Sequence, residues 1–477
     1  MAKSRLTRRS FLKKTAAGAV ALTHIDVHGR VLGANDKIRA AVAGINGRGK
    51  RHMQHLAKIP GVEVVYLADP DSSIFKERQK IVQEFGGNTP ECMQDVRKAL
   101  DDKNLDVLSI ATCNHWHSLL TIWGCQSGKD VYVEKPLSHN VHEGRFAVEM
   151  ARTYKRIVQH GTQQRANDGR AQEIAAVQSG KYGKLLVSKG YCSKPRWSIG
   201  KKPTASPPAD LDFNLWLGPA PKQAYHGNLV HYNWHWFWDT GNGDIGNQGV
   251  HEMDVARWAI PGATLPTRIW SLGGRFAYDD QGETPNTQMA VFEYGDTLLV
   301  FEVRGLVGSP SKDKRKVANE YYLEEGMITG GKFYPKNGGT PETIVEVPRS
   351  DSQLIFNDFI ATVRSRKAES LRADVLEGHY SSALCHLGNI SYRLGEVVPF
   401  NKKTKAFGDN KVVHDTFQAL ENNLGDGGVG LKLDGLQYRL GRTLEFDPAR
   451  ERFVDDPAAD KMLTREYRAP FVVPQIA

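Results

Sequence analysis

A buried strand, a glycine-rich turn and a helix follow one another directly near residue 40, and this feature constrains the fold most strongly. Residues 38–43 have the apolar composition of a buried parallel strand, and residues 44–49 read Gly-Ile-Asn-Gly-Arg-Gly. Gly44 permits a tight turn, and Gly49 lets the helix pack closely on the strand. Asn46 replaces the usual middle glycine but tolerates a positive φ, so the turn is kept. The amides at the helix start then face a pyrophosphate, which predicts a dinucleotide site.

An acidic residue follows this turn at the distance that a dinucleotide site requires. The second predicted strand covers residues 62–68 and ends at Asp69, 25 residues after Gly44, near the usual spacing of about 20. A carboxylate there hydrogen-bonds the adenosine ribose and repels a 2′-phosphate. The sequence therefore favours NAD over NADP, with Asn46, Gly47 and Arg48 completing the predicted turn contacts.

Predicted strands and helices continue to alternate beyond Asp69. Buried strands are expected at residues 105–111, 130–133 and 156–160, and helices at 118–127 and 141–154. This alternation is typical of a doubly wound parallel α/β sheet, which binds ligands at the carboxyl ends of its strands. Further cofactor contacts are therefore expected from the polar residues at those ends, namely Thr112, His115, His117, Glu134 and Lys135.

Lys135 directly follows a strand that is predicted to be buried. Partial burial lowers the pKa of a lysine toward the range that acid–base catalysis uses, although the position alone also fits a solvent-exposed strand end. His115 and His117 have the spacing of a metal-binding pair, but no Cys/His set in the chain has zinc-site spacing. We therefore expect these histidines to contact nicotinamide or substrate, and we expect no metal site.

Residues 134–136 (Glu-Lys-Pro) after the fourth main strand resemble the signature of the Gfo/Idh/MocA oxidoreductases, the family of glucose-fructose oxidoreductase and inositol dehydrogenase. Residues 112–117, 161–165 and 216–221 extend the resemblance over about residues 36–400. The resemblance implies that Lys135 contacts the reacting hydroxyl and the nicotinamide ribose. It also implies that Gln164 lies beside the cofactor and Arg165 beside the substrate.

A second motif of that family matches residues 241–251, where Asn247 replaces the usual aspartate. Asn247 and His251 lie four residues apart on a helix predicted over 244–260, so both face one side. His251 is the expected base, since imidazole can take a hydroxyl proton as hydride leaves. Asn247 can orient a substrate hydroxyl but cannot carry the negative charge that supports an imidazolium. Without the resemblance, a single helical histidine is more often structural.

The second half of the chain predicts an α+β domain with an open, mainly antiparallel sheet. A strand at 185–191 begins it, strands are expected at 267–275, 288–293 and 297–304, and helices at 353–365 and 374–393. Trp234 and Trp236 form either a wall for a sugar ring or a core cluster. The resemblance implies that the sheet packs subunits into a homodimer or homotetramer. The predicted division of the chain is residues 1–34, 35–165 for the Rossmann domain, 166–400 for the substrate domain, and a 401–477 extension without predicted chemistry.

The first 34 residues have the pattern of an export signal. Paired arginines at positions 8 and 9 precede a short apolar stretch that is too short to span a bilayer, and they resemble a twin-arginine (Tat) signal. Seven of the basic residues lie here, and the remaining 56 basic and 53 acidic residues nearly balance. We therefore expect no nucleic-acid partner. Export by the Tat machinery to the periplasm, without stable membrane insertion, is the predicted fate.

Together these patterns predict an exported NAD(P)-dependent oxidoreductase that moves hydride between a carbohydrate or polyol carbon and nicotinamide. Outside the cytoplasm a nicotinamide cofactor has no pool to exchange with, so we expect it to be tightly held and recycled within each cycle. One alternative is an NAD-dependent glycosidase that oxidises its sugar transiently to allow elimination. Another is a protein that binds NAD and sugar without turnover.

Overall fold

The computed structural model describes residues 37–307, 316–347, 352–400, 407–425 and 428–474. The predicted export signal at residues 1–34 lies outside these residues. Among the helices that are described, none has the length and apolar character needed to cross a bilayer.

Six parallel strands form the sheet of the N-terminal domain within the described residues. The strands are β1 (Ile38–Ala43), β2 (Val62–Ala68), β3 (Glu91–Met93), β4 (Val107–Ile110), β5 (Asp130–Val133) and β6 (Val158–His160). Their spatial order, β3-β2-β1-β4-β5-β6, is that of a Rossmann fold. Every residue of β4, β5 and β6 is buried, because helices cover both faces of a parallel sheet. The predicted fold of this half is confirmed.

The helices that cover this sheet come from two distant parts of the chain. Those between the strands are α1 (Gly49–Ala57), α2 (Phe75–Gly86), α3 (Arg97–Leu100), α4 (Asn114–Gln126) and α5 (Val141–Thr153), with 3₁₀ turns at Ser72–Ile74 and Gln163–Ala166. A much later helix, Gln353–Ser365, also packs on the sheet, where Phe356 stacks on Tyr132 with 4.3 Å between ring centroids. The N-terminal core is therefore completed by a helix that lies, in the sequence, between strands of the second sheet.

The second domain is built on a larger, mainly antiparallel sheet, as predicted. Its strands are β7 (Leu185–Ser193), β8 (Arg268–Gly274), β9 (Thr287–Tyr294), β10 (Thr297–Arg304), β11 (Lys316–Leu323), β12 (Gly326–Thr329), β13 (Lys332–Pro335), β14 (Glu342–Thr343), β15 (Glu396–Pro399), β16 (Gln437–Leu440), β17 (Leu444–Asp447) and β18 (Arg452–Phe453). Among the described strands the β7–β10 pair is parallel and the other recorded pairs of this domain are antiparallel.

Helices lie on both faces of this second sheet. The helices that follow α5 are α6 (Asp168–Gln178), α7 (Phe213–Leu217), α8 (Gly243–Gly246), α9 (Gly249–Trp258), α10 (Gln353–Ser365), α11 (Val375–Arg393), α12 (Lys411–Leu424) and α13 (Pro457–Lys461), with 3₁₀ turns at Asn233–Trp236 and Ala368–Ser370. One face packs against α9 and α11. On the opposite face, Phe417 and Leu420 of α12 contact the apolar residues of β8, β9 and β10. The C-terminal extension thus forms part of the domain core.

The helix predicted over residues 244–260 is interrupted, which corrects the sequence analysis. Helix α8 ends at Gly246, Asn247 has φ −89° and ψ −88°, and α9 begins at Gly249. Asn247 and His251 therefore do not share one continuous helical face. Because the helical hydrogen-bond series is broken here, the His251 amide donates to Gln248 O rather than to the carbonyl of Asn247. The Asn247 carbonyl is therefore left for another donor.

Candidate functional site

The glycine-rich turn between β1 and α1 has the shape that a dinucleotide requires. Gly44 has a φ of +79°, and a Cβ there would lie 2.5 Å from the Thr112 amide nitrogen. A Cβ on Gly49 would lie 1.9 Å from Gly44 O. At Gly47, in contrast, a Cβ would meet nothing within 4 Å, because this side of the turn opens into a cavity that Gly47 lines. The turn therefore leaves room for a phosphate to approach the backbone.

Buried Arg78 stabilises the glycine-rich turn through hydrogen bonds. Its guanidinium donates from Nε to Ile45 O at 2.8 Å and from Nη2 to Asn46 Oδ1 at 3.2 Å. The left-handed residue is Gly44 and not Asn46, so the asparagine is used for this contact rather than for a positive φ. Within the described part of the chain, the amides of residues 46–48 donate to no recorded acceptor. They are available to an anionic ligand.

The different surroundings of Gly47 and Gly49 allow a test of this site. We expect Gly47→Ala to keep the fold but to weaken NAD binding about tenfold or more, because its methyl group enters the cavity. Gly49→Ala places a methyl group on the Gly44 carbonyl and should lower stability as well, as overpacking costs about 1–3 kcal/mol. Thermal denaturation and NAD titration measure the two effects. Gly47→Ala with unchanged affinity would remove the turn from the binding site.

Asp69 lies at the end of β2 and lines the same cavity. Its Oδ2 accepts from the Ile45 amide at 2.9 Å and its Oδ1 from the Asp71 amide at 3.0 Å. Burial raises the pKa of Asp69, while these two amides oppose the rise. The carboxylate therefore links the glycine-rich turn to the end of β2, beside the place where sequence analysis predicted the ribose.

Glu134 is the centre of a buried polar cluster at the end of β5. Its Oε1 accepts from Arg48 Nε at 2.7 Å and from Gln163 Nε2 at 3.2 Å, and lies 3.1 Å from His52 Nε2. Burial alone would raise the pKa of Glu134, but Arg48 and His52 hold it well below its usual value. Glu134 is therefore an anion that fixes Arg48 at the cavity wall and lies beside Lys135.

Lys135 donates from Nζ to the Asn247 carbonyl at 2.7 Å and lies 3.4 Å from Asn247 Oδ1. The interruption between α8 and α9 exposes this carbonyl, so the local break positions the ammonium. Burial lowers the pKa of Lys135, and neighbouring Glu134 opposes the shift. Lys135 and Asn247 both line the cavity, which joins the end of β5 to the second domain.

His251 enters the same cavity from α9. No hydrogen bond of its ring to another described residue is recorded, so its nitrogens are available to a ligand. Burial, followed by the charge of Lys135, lowers the pKa of His251 to about 3. The imidazole is therefore neutral at physiological pH and able to accept a proton. Asn247 Nδ2 approaches Asp244 Oδ1 at 3.4 Å, and Asp244 is itself held by the guanidinium of Arg196 at 2.6 and 2.9 Å.

Most of the predicted site residues lie around this one cavity of about 490 Å³. It is lined by Gly44, Asn46, Gly47, Arg48, Asp69, Thr112, His117, Glu134, Lys135, Trp234, Asn247 and His251. The ring nitrogens of His117 lie 2.6 Å from Pro136 O and 3.0 Å from Thr112 O. This histidine therefore joins two strand ends as well as lining the cavity.

Five predicted site residues do not line the cavity. Gly49 is one of them, because it packs directly against Gly44 at the start of α1. Arg165 pairs with buried Asp254 at 2.9 Å and with the partly exposed Glu377 at 3.0 Å, so its charge is met by residues that do not line the cavity. Both ring nitrogens of His115 lie near backbone carbonyls, at 3.2 and 3.0 Å. Gln163 rather than Gln164 lines the cavity. Trp236 packs under the guanidinium of Arg196 at 5.3 Å and so belongs to the core.

Three neighbouring residues are among the cavity-lining side chains that sequence analysis did not single out. His231, Tyr232 and His235 line the cavity beside Trp234. His235 stacks on Trp234 with 3.6 Å between ring centroids, and Tyr232 is 54% exposed at the edge of this aromatic group. The run of aromatic residues at 232–238 was visible in the sequence, but which rings face inward depends on the 3₁₀ turn. Flat rings beside hydrogen-bonding groups suit a sugar.

Comparison with known proteins identifies both domains. Residues 38–162 match the model of the Gfo/Idh/MocA family described as "Oxidoreductase family, NAD-binding Rossmann fold". Residues 176–284 match the family's "C-terminal alpha/beta domain". These segments contain the glycine-rich turn, Lys135 and His251.

Individual relatives are similar over parts of the chain. A glycosyl hydrolase family 109 protein of Shewanella pealeana is 29% identical over 195 residues, which are 39% of this chain and 41% of the relative. The scyllo-inositol 2-dehydrogenase (NAD(+)) of Bacillus subtilis is 27% identical over 156 residues, 32% of this chain and 44% of the enzyme. The matches thus span less than half of each of these two relatives.

A solved structure shows the same fold over most of the chain. The WlbA dehydrogenase of Bordetella pertussis, solved in complex with NADH and UDP-GlcNAcA, has a TM-score of 0.54 at 18% identity, covering 73% of this chain and 94% of its own. This likeness shows the fold, and the matches to both domain models identify residues 38–162 and 176–284 as the two domains of a Gfo/Idh/MocA family oxidoreductase, with the NAD-binding Rossmann domain on the N-terminal side.

Proposed function

We propose that the protein is an NAD-dependent oxidoreductase that acts on a hydroxyl-bearing carbon of a sugar or polyol and keeps its nicotinamide bound between turnovers. The observation that carries this proposal is one cavity that holds both the glycine-rich turn and the pair Lys135 and His251. The glycine-rich turn, which is open to the cavity, fits the pyrophosphate of NAD, and Asp69 at the end of β2 fits its adenosine ribose. The lysine and the neutral imidazole fit proton transfer at a hydroxyl.

The residues would hold the two ligands as follows. The turn at residues 44–49 receives the pyrophosphate, and Asp69 faces the adenosine ribose. Bound NAD supplies a hydride acceptor at the C4 position of its nicotinamide ring. Trp234 and His235 present flat surfaces to the sugar ring, and Asn247 orients a hydroxyl near Lys135.

The proton is handled by two groups of unlike charge. The Lys135 ammonium donates a hydrogen bond to the reacting oxygen and stabilises negative charge that develops there. His251, neutral because its pKa is about 3, accepts the hydroxyl proton at a free ring nitrogen and passes it on to solvent, since an imidazole with so low a pKa does not retain a proton at neutral pH. Glu134 favours the charged form of His251, and this compensates in part for the absence of a carboxylate at position 247.

A second candidate function is an NAD-dependent glycosidase, in which oxidation is transient and a glycosidic group is eliminated. It is favoured by Asn247, which lacks the charge that the family's dehydrogenases usually place there, and by the similarity to the family 109 glycosyl hydrolase. In this reaction the same Lys135 and His251 serve the oxidation and the return of hydride. Two further reactions would also reduce and reoxidise the bound cofactor within one turnover. These are the oxidation of one sugar coupled to the reduction of another, and epimerisation.

One experiment separates these possibilities. One portion of the purified protein is denatured, and the nucleotide that it releases is identified by mass spectrometry. A second, intact portion is mixed with free sugars and with aryl glycosides while absorbance at 340 nm is followed. Reduction of bound NAD by a free sugar supports the oxidoreductase, and release of the aryl group without net reduction selects the glycosidase. A protein that binds NAD and sugar but shows neither change is a non-catalytic binder. A protein without affinity for NAD would refute every version.

We also propose that the protein is exported by the Tat pathway to the periplasm and works as a homodimer or homotetramer. The support for export is the paired arginines at positions 8 and 9. The support for assembly is the broad, mainly antiparallel sheet of the second domain. Helix α12 of the same chain covers part of its outer face, so a partner subunit would pack on the remaining part. Fractionation of cells that express the full chain, with Arg8→Lys/Arg9→Lys as control, and light scattering of the purified protein test the two points.

A further inference from the structure

A segment of the second domain lies over the end of β2, where the predicted adenosine contact is. Asp71 forms a β-bridge with Leu211. Asp210 O accepts from the Ser72 amide at 2.9 Å and from Gln94 Nε2 at 3.1 Å. The Asp212 amide donates to Pro70 O at 2.9 Å. Residues 208–212 are therefore fastened to the N-terminal domain by backbone contacts on the rim of the cavity.

A side-chain contact fastens the same rim a second time. His231 Nε2 lies 2.9 Å from Asp71 Oδ2. His231 itself lines the cavity, and the Asp71 amide donates to Asp69. The imidazole is 38% exposed whereas the Asp71 side chain is 9% exposed. The contact therefore joins a partly exposed residue of the second domain to the carboxylates at the nucleotide end.

Both domains contribute to the wall at this end of the cavity. Asp69, Pro70 and Gln94 come from the N-terminal domain, and Trp216 and His231 come from the segment that crosses over it. A nucleotide seated on the glycine-rich turn with its ribose beside Asp69 would lie between these two walls. The second wall would therefore border the path by which a nucleotide leaves at this end.

We propose that residues 208–231 form a clasp over the adenosine end of the site, and that His231 is a positioning residue that retains NAD by holding Asp71. The proposal rests on the proposed NAD-dependent function and explains how the nicotinamide cofactor is kept between turnovers. His231 has no part in proton transfer. Its loss should speed cofactor release without removing the turn that binds the pyrophosphate.

The test measures how fast the full-length protein releases NAD. Protein loaded with isotopically labelled NAD is mixed with excess unlabelled NAD, and the retained label is followed by rapid gel filtration. We expect His231→Ala to release label about tenfold faster or more, and His231→Gln, which keeps a donor for Asp71, to stay within about threefold of the unsubstituted protein. His142→Ala is the control, since the ring of this histidine lies outside the cavity, where it contacts Pro474 O at 2.8 Å and stacks on Phe146.

A second variant guards against loss of fold at His231. Asp71→Asn keeps the acceptor for the Ser73 amide but removes the negative charge, and it should speed release in the same direction. Equal release rates for His231→Ala, Asp71→Asn and the unsubstituted protein, with NAD still bound, would overturn the clasp and leave the proposed function intact. An unsubstituted protein that does not bind NAD would overturn both.

Discussion

Replacement of Lys135 by methionine should lower turnover by about 10³-fold or more while bound NAD and thermal stability are kept. Methionine has a similar length and no charge, so it fills the volume of the lysine stem without leaving a buried cation unpaired. It removes the donor that holds the reacting oxygen and the positive charge that stabilises it. Positioned acid–base groups contribute about 10²–10⁴-fold, and charge stabilisation in a buried site adds to this. Single-turnover reduction of bound NAD by the active sugar measures the loss.

Lys129 offers a matched control for this substitution. It is a buried lysine that directly precedes β5, whereas Lys135 lies just after the same strand. Burial lowers the pKa of Lys129 as well, and its Nζ also donates to a backbone carbonyl, that of Asp102, at 2.6 Å. It lies outside the cavity, so Lys129→Met should alter stability at most. Lys135→Met with normal turnover would refute the catalytic assignment. Equal losses in the two variants would indicate a general effect of removing a buried lysine.

The N-terminal fold was predictable because its determinants are local. The buried strand at 38–43, the turn at 44–49 and the next strand ending at Asp69 each carry their own pattern, and the parallel order follows from the alternation. The helix Gln353–Ser365 was also predicted at its observed bounds. Its place on the first sheet was not, because an amphipathic pattern shows that a face is buried without showing what buries it.

The details of the site depended on contacts that no local pattern specifies. The break at Asn247 had one sequence signal, the glycines at 246 and 249, where a Cβ would meet Asn242 at 2.5 Å and Phe301 at 2.9 Å. Helical spacing alone gave no sign of the carbonyl that Lys135 uses. The family resemblance implied a substrate contact for Arg165, but two carboxylates distant in the chain, Asp254 and Glu377, pair with its charge.

The C-terminal extension shows the same limit. Residues 401–477 contain no motif, yet Phe471 is 1% exposed and packs against Trp116 at 5.3 Å between ring centroids. Arg465 donates to Asp239 O at 3.0 Å and to Pro219 O at 3.3 Å. These contacts join the end of the chain to segments beside the cavity. A short apolar segment such as residues 471–473 does not identify its partner, so such contacts become visible only in the folded chain.

Replacement of His251 by glutamine is the second variant with a large expected effect. Glutamine can still form a hydrogen bond with a sugar hydroxyl but cannot take its proton, so substrate affinity should change little while the rate of the oxidation step falls by about 10²–10⁴-fold. In the unsubstituted protein His251 is neutral down to about pH 3. The rate should therefore not fall near pH 6.5, where an ordinary histidine becomes charged. It should decline only as the pH approaches the lowered pKa, because a protonated imidazole cannot act as the base.

The comparison variant for this test is His379→Gln. This histidine is fully buried, burial also lowers its pKa, and it contacts Glu451 at 3.0 Å outside the cavity. A glutamine amide can keep that contact, so turnover per correctly folded protein should be unchanged. Rates measured from pH 5 to 8 with bound NAD separate the two roles.

If His251→Gln retains full turnover, the proton passes to Lys135 or solvent instead. A fall in the unsubstituted protein's rate centred near pH 6.5, abolished by His251→Gln, would show that His251 titrates as an exposed histidine and that the cavity does not isolate it from water.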